Sequence, residues 1–164
     1  MQPFSSSLLT FVFAAMLAFF CVAPSSVIAQ DSNVSSTAAN SELALVPLIF
    51  SNGVEIEVEF ANDPNSRALG LMFRKEMCTD CGMLFKFDRV RIASIWMKNT
   101  YIPLDLAYIN AFGTIVDIKA LQPHDLTSVK SSVPVLYALE MNQGWFANNS
   151  LAVGDTVKLP SYIK

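Results

Sequence analysis

The stretch ALVPLIFSNGVEIEVEF, residues 44–60, decides the fold expected for this chain. It contains two apolar runs on either side of Ser-Asn-Gly, and Asn-Gly between such runs is typical of a β-hairpin turn. In the second run, apolar side chains alternate with three glutamates, which is the period of a strand with one buried and one solvated face. The stretch therefore predicts an antiparallel hairpin at the start of the folded domain.

After the hairpin the period changes once and then returns to that of strands. Residues 62–75, NDPNSRALGLMFRK, carry a capping aspartate, a proline in the first turn and apolar residues at helical spacing. Strand-like runs follow, and NQGWFANNS among them indicates a short helix or turn; the runs are GMLFKF, RIASIWMK, DLAYIN, TIVDIKA, SVPVLYALEM and DTVKLP. We expect a mainly β (α+β) fold: a compact antiparallel β barrel-like or sandwich domain with one main helix and one short helix.

Residues 1–29 have the composition of a signal peptide. They contain no charged side chain, and their apolar run ends at Pro24 before the short residues that lead to Ala29. Residues 30–44 are polar and aperiodic, which predicts a disordered linker, and residues 45–164 are expected to form a single β-rich domain. We therefore expect export to the periplasm or the extracellular space, with contact to a membrane only through an uncleaved leader.

The charge and the motifs of the chain exclude several function classes. It has 11 basic and 14 acidic residues and no basic run, so we expect no nucleic-acid partner. P-loop, Gly-x-Ser-x-Gly and His-Glu-x-x-His motifs are missing from the sequence. The single histidine, His124, together with Cys78 and Cys81, supplies at most three of the four ligands of a closed zinc site. We expect no cofactor and no resident metal.

Cys78 and Cys81 form a Cys-x-x-Cys pair in EMCTDCGMLF, residues 76–85. Export favours their oxidation, so we predict a disulfide that pins the crossover from the helix to the next strand. A redox pair is the first alternative, although the pair follows the helix and Asp80 would raise a thiol pKa. A Cu(I) site is the second alternative, because three methionines lie nearby in the sequence: Met72, Met77 and Met83.

Five segments, in this order, carry a family resemblance: SRALGLMFRKEM, CGMLFKF, SIWMKNTYIPLDLAYIN, FGTIVDI and QGWFANNSLAVGDTV. Together they resemble the domain of unknown function 192 family, small bacterial and archaeal proteins that are often exported or membrane-tethered. The resemblance spans residues 54–157, and WMKNTYIPLD, residues 96–105, is its most specific part. It implies a compact β-rich domain and no established activity. It also implies these pattern residues: Arg67, Gly70, Met72, Arg74, Gly82, Met83, Phe85, Trp96, Met97, Lys98, Asn99, Thr100, Pro103 and Asp105.

The segment WMKNTYIPLD offers the candidate ligand-binding site. Lys98, Asn99 and Asp105 bring a cation, an amide and a carboxylate close to the aromatic face of Trp96. An aromatic wall beside hydrogen-bonding groups is typical of the recognition of sugars or peptidoglycan fragments. In the alternative interpretation, Lys98 pairs with Asp105 and Asn99 only fixes the turn.

Arg67 and Arg74 are seven residues apart and are predicted to share one helix face. If that face meets Lys98, the three cations form a positive pocket suited to an acidic ligand. The alternative is that both arginines pair with carboxylates such as Glu76, Asp88 or Glu140.

The preferred hypothesis is therefore an exported, non-enzymatic domain that binds a small polar or anionic cell-envelope ligand beside residues 96–105. One alternative is an envelope hydrolase that uses Asp105 or Glu140 with Lys98. The other is a soft-metal or thiol protein that uses Cys78 and Cys81.

Overall fold

The structure, a computed structural model, describes residues 43–164. The predicted signal peptide and most of the predicted linker lie outside the described residues. Within 43–164, no helix combines the length and the apolar character that crossing a membrane requires.

Residues 43–164 form nine β-strands, two short α-helices and a C-terminal 3-10 turn at Ser161–Ile163. The strands are β1 (Leu45–Phe50), β2 (Glu55–Ala61), β3 (Gly82–Arg91), β4 (Ser94–Ile95), β5 (Leu104–Ile109), β6 (Ile115–Leu121), β7 (Val129–Lys130), β8 (Val135–Asn142) and β9 (Val157–Lys158). The helices are α1 (Pro64–Leu69) and α2 (Trp145–Asn148).

Seven of the strands form one curled half-barrel sheet, in the order β6-β5-β8-β3-β2-β1-β9. Its pairs are antiparallel except β2 with β3, which run parallel across the connection that contains α1. The remaining two strands, β4 and β7, pair with each other beside the main sheet. The prediction of a mainly β, barrel-like domain with one main and one short helix is confirmed.

The predicted N-terminal hairpin is also confirmed. β1 and β2 pair antiparallel, and Val46 lies opposite Val58 on the buried face, whereas Glu55 and Glu57 are exposed. Gly53 in the turn has a φ of 89°, a conformation that glycine adopts without steric strain.

The sheet buries apolar side chains on both of its faces. Leu84, Ala107 and Met141 pack into the cluster on one face, whereas Met83 and Leu106 pack into the cluster on the other. Successive strand residues point to opposite faces, so a central strand between two cores is apolar throughout. Asp105 on β5 and Glu140 on β8 are therefore removed from bulk water.

Helix α1 is shorter than its sequence pattern predicts. It begins after Asp63, whose side chain accepts hydrogen bonds from the backbone N–H groups of Asn65 and Ser66 at 2.9 and 3.1 Å. It ends at Leu69 because Gly70 turns the chain with a φ of 49°. Arg74 thus lies beyond the helix, and the prediction that Arg67 and Arg74 share a helix face is wrong.

Candidate functional site

A cleft of about 260 Å³ opens beside α1 on the face of the sheet that carries Met83 and Leu106. Its walls come from α1 and the turn after it, from β3, from β4 with the residue that follows it, from Thr100 and from β8. We name it the Glu140 cleft and define it by its lining: Arg67, Ala68, Leu69, Gly70, Leu71, Met72, Phe85, Phe87, Arg91, Ser94, Ile95, Trp96, Thr100 and Glu140.

Glu140 forms the floor of the cleft. It lies on the central strand β8, opposite Met83 of β3 and Leu106 of β5, and only 4% of its surface is exposed. Among residues 43–164, no cation forms an ion pair with its carboxylate, and no donor forms a hydrogen bond with it. Buried charged groups normally have such partners, so the carboxyl of Glu140 has only the space of the cleft from which to gain them.

Burial raises the pKa of the Glu140 carboxyl from its ordinary 4.5 to about 8. The physical cause is that apolar neighbours replace the water that would stabilise the charged form. Tyr108, on the same face of β5, has a raised pKa because of burial first and the charge of Glu140 second, and its hydroxyl donates to the carbonyl of Val129 at 2.7 Å. A strongly perturbed carboxyl inside a cleft is typical of functional sites.

Aromatic rings line the cleft and its mouth. Trp96 is 47% exposed, and the Nζ of Lys98 lies 5.3 Å from the centre of a Trp96 ring. The guanidinium of Arg91 lies 4.8 Å from the centre of the Phe87 ring. Two of the aromatic side chains in the lining therefore already contact cations of the protein.

Trp96 and Arg67 are the two predicted ligand-binding residues that line the Glu140 cleft. The guanidinium of Arg67 is held firmly, with both Asp88 carboxylate oxygens at 2.9 and 3.0 Å. It also donates to the backbone carbonyls of Asn62 and Lys86 at 2.8 and 3.0 Å. Arg67 therefore pairs with Asp88, which is the alternative considered for it, and its hydrogen bonds connect α1 to β3.

Arg74 and Asn99 lie outside the lining and contact other groups. Arg74 makes a two-point ion pair with Glu59 of β2, with N–O distances of 2.5 and 2.6 Å. Asn99 has a φ of 57°, and its carbonyl accepts a hydrogen bond from the backbone N–H of Phe73 at 2.8 Å. The backbone of Asn99 thus takes part in a chain turn, and a role of its side chain in ligand binding stays a prediction.

Asp105 and Lys98 do not form an ion pair, so this part of the alternative interpretation is wrong. Asp105 is buried on β5 and accepts a hydrogen bond from the backbone N–H of Gly144 at 2.8 Å. Burial raises its pKa, and the Gly144 hydrogen bond opposes that shift. Lys98 is exposed, and its Nζ lies beside Trp96.

Cys78 and Cys81 lie at disulfide-bonding distance, with Cα atoms 5.1 Å apart, in the crossover between α1 and β3 where the sequence predicted a staple. Neighbouring groups anchor the crossover: the Asn142 side chain donates to the Cys78 carbonyl at 2.7 Å, and the Trp145 indole donates to Asp80 at 2.9 Å. In the described range, no three His, Cys, Asp or Glu side chains converge as metal ligands would.

The sequence reasoning named Glu140 only as an arginine partner or as part of a hydrolase, and it left out Arg91, Phe87 and Ser94 of the lining. A signal for Glu140 was available in VLYALEM, residues 135–141. Both alternating sets of positions in that run are apolar, so its one carboxylate had to be buried whichever face it occupied.

Comparisons with known proteins give a family and a fold. The model of the domain of unknown function 192 family, described as "Uncharacterized ACR", matches residues 48–159. No curated protein matches significantly. The crystal structure of a candidate transcription regulator from Sinorhizobium meliloti is 41% identical in sequence to this chain, with a TM-score of 0.66. The match covers 70% of this chain and 92% of the regulator. The crystal structure of a protein of unknown function from Novosphingobium aromaticivorans is 32% identical, with a TM-score of 0.69, and the match covers 73% of this chain and 88% of that protein.

Proposed function

The chain belongs to the domain of unknown function 192 family, and from the geometry of the Glu140 cleft we propose that it is an exported domain that binds a small polar ligand of the cell envelope. The observation that carries this proposal is the carboxyl of Glu140, buried on the floor of the cleft without a partner among residues 43–164. A bound molecule that supplies hydrogen bonds would satisfy it.

The walls of the cleft suit a ligand with an apolar or flat part as well as a polar one. Leu71, Phe85 and Ile95 offer apolar surface inside, and Trp96 offers a half-exposed ring at the mouth. Ligand sites in proteins commonly combine apolar walls with a few convergent polar groups. The volume of about 260 Å³ suits a molecule of roughly the size of a monosaccharide or an amino acid.

The ligand-facing chemistry favours a polar rather than an anionic ligand. Arg67 and Arg74, which were expected to attract an acid, are already paired with Asp88 and Glu59. Arg91 remains at the rim over Phe87, whereas the floor is an acid. At the floor an anionic group would find one O–H donor, from the protonated carboxyl of Glu140, and no cation within ion-pair distance of that carboxyl among residues 43–164.

Export stays part of the proposal on two grounds. Residues 1–29 have the composition of a signal peptide. Cys78 and Cys81 are close enough for a disulfide, and disulfides persist mainly in compartments outside the cytosol. Protease accessibility of the chain in intact cells tests export separately from binding.

Binding can be mapped by amide NMR spectra during titration with N-acetylglucosamine and with benzyl alcohol. We expect the largest shifts at Gly70, Trp96 and Glu140, and we expect Trp96→Ala to weaken binding. Phe112→Ala is the matched control, because Phe112 is a 92% exposed aromatic residue outside the cleft. Shifts confined to the surface around Cys78, or no shifts with any small polar probe, would contradict the proposal.

An acid–base enzyme is the second candidate, favoured by one observation. A carboxyl with a pKa of about 8 holds its proton at neutral pH and can donate it to a bound molecule. In that case Glu140→Gln abolishes turnover and preserves binding. Asp105 cannot share the reaction, because it lies on the other face of the sheet.

A further inference from the structure

We propose that the Glu140 cleft selects ligands that carry a protonated amine, with the Glu140 carboxylate as their counter-charge. This inference rests on the proposed function and specifies the chemistry of the ligand.

The polar groups of the cleft other than Glu140 are largely occupied. The Arg67 guanidinium makes four hydrogen bonds, and the hydroxyl of the buried Thr100 donates to the Lys98 carbonyl at 3.4 Å. An ionised carboxylate only accepts hydrogen bonds, and it has about four sites for them. An ammonium group has three donors and the opposite charge, so it complements Glu140 better than a hydroxyl does.

The aromatic lining points to the same ligand chemistry. Phe85, Phe87 and Trp96 line the cleft, and ring faces attract cations, most strongly when water is excluded. Lys98 lies over Trp96 and Arg91 lies over Phe87, whereas within residues 43–164 no cation of the protein lies over Phe85. A buried carboxylate together with aromatic walls is the arrangement that recognises amines.

The charged and titratable groups that face Glu140 do not neutralise it. They are Arg67 from α1, Arg91 from β3 and Tyr108 from β5. Asp88 balances the charge of Arg67, Arg91 is exposed over Phe87, and the Tyr108 hydroxyl is committed to the Val129 carbonyl. Within residues 43–164, none of them comes within ion-pair distance of Glu140, so a ligand is left to supply the cation.

Proton release accompanies such binding. In the free protein Glu140 keeps its proton near neutral pH, because burial disfavours the charged form. When an ammonium group binds, the carboxyl ionises and gives its proton to the buffer, while the amine stays protonated. Affinity for an amine therefore increases with pH up to the pKa of about 8 of the free protein.

The test uses three probes that share a phenyl ring and differ in their polar group: benzylamine, benzyl alcohol and benzoate. Calorimetry of the full chain at pH 7 should show benzylamine binding about tenfold more tightly than benzyl alcohol. Titrations in buffers with different ionisation heats should show about one proton released per benzylamine. Glu140→Gln should weaken the binding of benzylamine about tenfold more than it weakens the binding of benzyl alcohol.

Two further variants keep the result interpretable. Glu57→Gln makes the same substitution on the exposed face of β2 and should leave benzylamine binding unchanged. Glu140→Met replaces the acid by an apolar side chain of similar length and should also weaken the binding of benzylamine. This variant takes the place of Glu140→Gln if the Gln variant does not fold.

The outcomes separate the two proposals. If benzyl alcohol or benzoate binds in the cleft as tightly as benzylamine, or if Glu140→Gln leaves benzylamine affinity unchanged, the amine inference is overturned and the ligand-binding proposal stands. If neither these three probes nor N-acetylglucosamine binds in the cleft, the ligand-binding proposal fails with it.

Discussion

Glu140 and Asp105 lie on neighbouring strands of one sheet and project from its opposite faces. Asp105 pairs with Met141, the residue after Glu140, and strand side chains alternate between faces. Glu140 therefore faces the cleft beside Trp96, whereas Asp105 receives a hydrogen bond from the backbone N–H of Gly144 at the start of α2. One bound molecule cannot contact both carboxyls, so the chemistry of the cleft depends on Glu140.

The first prediction concerns stability against pH. The folded state holds the Glu140 proton up to a pKa of about 8, whereas an unfolded chain loses it near 4.5. Between these values the folded state binds more protons, so a rise in pH lowers the free energy of unfolding, by about 1 kcal/mol per pH unit from this group. Urea denaturation of the wild type and of Glu140→Gln across this range measures the difference. If the free energy of unfolding depended on pH equally in the two proteins, Glu140 would be shown to ionise normally.

The second prediction compares the two tryptophans. Trp145 is 3% exposed, packs against Phe50 and Phe146 with ring centres 5.7 and 5.2 Å away, and donates a hydrogen bond to Asp80. Trp145→Ala should lower the free energy of unfolding by about 3–5 kcal/mol. Trp96→Ala should lower it by less than about 1 kcal/mol, because the ring is half-exposed. Large destabilisation by Trp96→Ala in chemical denaturation would make Trp96 a core residue and remove it from the site.

The third prediction concerns Gly70, where the chain leaves α1. Its φ is 49°, and an added Cβ would lie 3.3 Å from the Phe85 ring. Gly53 has a φ of 89° and open space around it, so Gly53→Ala reports the backbone strain alone. We expect Gly53→Ala to lower the free energy of unfolding by about 1 kcal/mol, and Gly70→Ala by about 2–3 kcal/mol because of the additional contact. Identical values would mean that the approach to Phe85 has no energetic effect.

The fourth prediction concerns the pair Cys78 and Cys81. A disulfide across so short a loop restricts the unfolded chain little, so it should stabilise the fold by about 2 kcal/mol, near the low end for disulfides. Denaturation of the wild type with and without a thiol reductant measures this difference. The Cys78→Ser/Cys81→Ser double variant should show no effect of the reductant, and a wild type that is equally insensitive would contradict the prediction.

Local patterns were sufficient to predict much of the fold. The hairpin β1–β2 follows from alternation around Asn-Gly, and the start of α1 follows from Asp63 as its cap. The end of α1 could not be predicted, because apolar residues such as Leu69 and Phe73 continue the helical spacing. The helix ends because Gly70 has a φ of 49°, and the space beside Gly70 is limited by Phe85, a residue of β3.

The candidate site was less predictable, because it depends on strand register. Trp96 was identified from its segment, and it does line the cleft. The sequence does not predict that β8 lies between β3 and β5. It also does not predict the register of β8 with β5, which places Glu140 on the face of the cleft and Asp105 on the opposite face. The partners of Arg67 and Arg74 likewise come from strands that are distant in sequence.

The most direct test of the central claim is a 13C NMR titration of the Glu140 carboxyl, with and without benzylamine. We predict a titration midpoint near pH 8 in the free protein, from the pKa of about 8, and a lower midpoint when the amine is bound. Glu140→Gln, which lacks the signal, assigns it. A midpoint near the ordinary glutamate value of 4.5, or one that benzylamine does not move, would contradict the role proposed for Glu140.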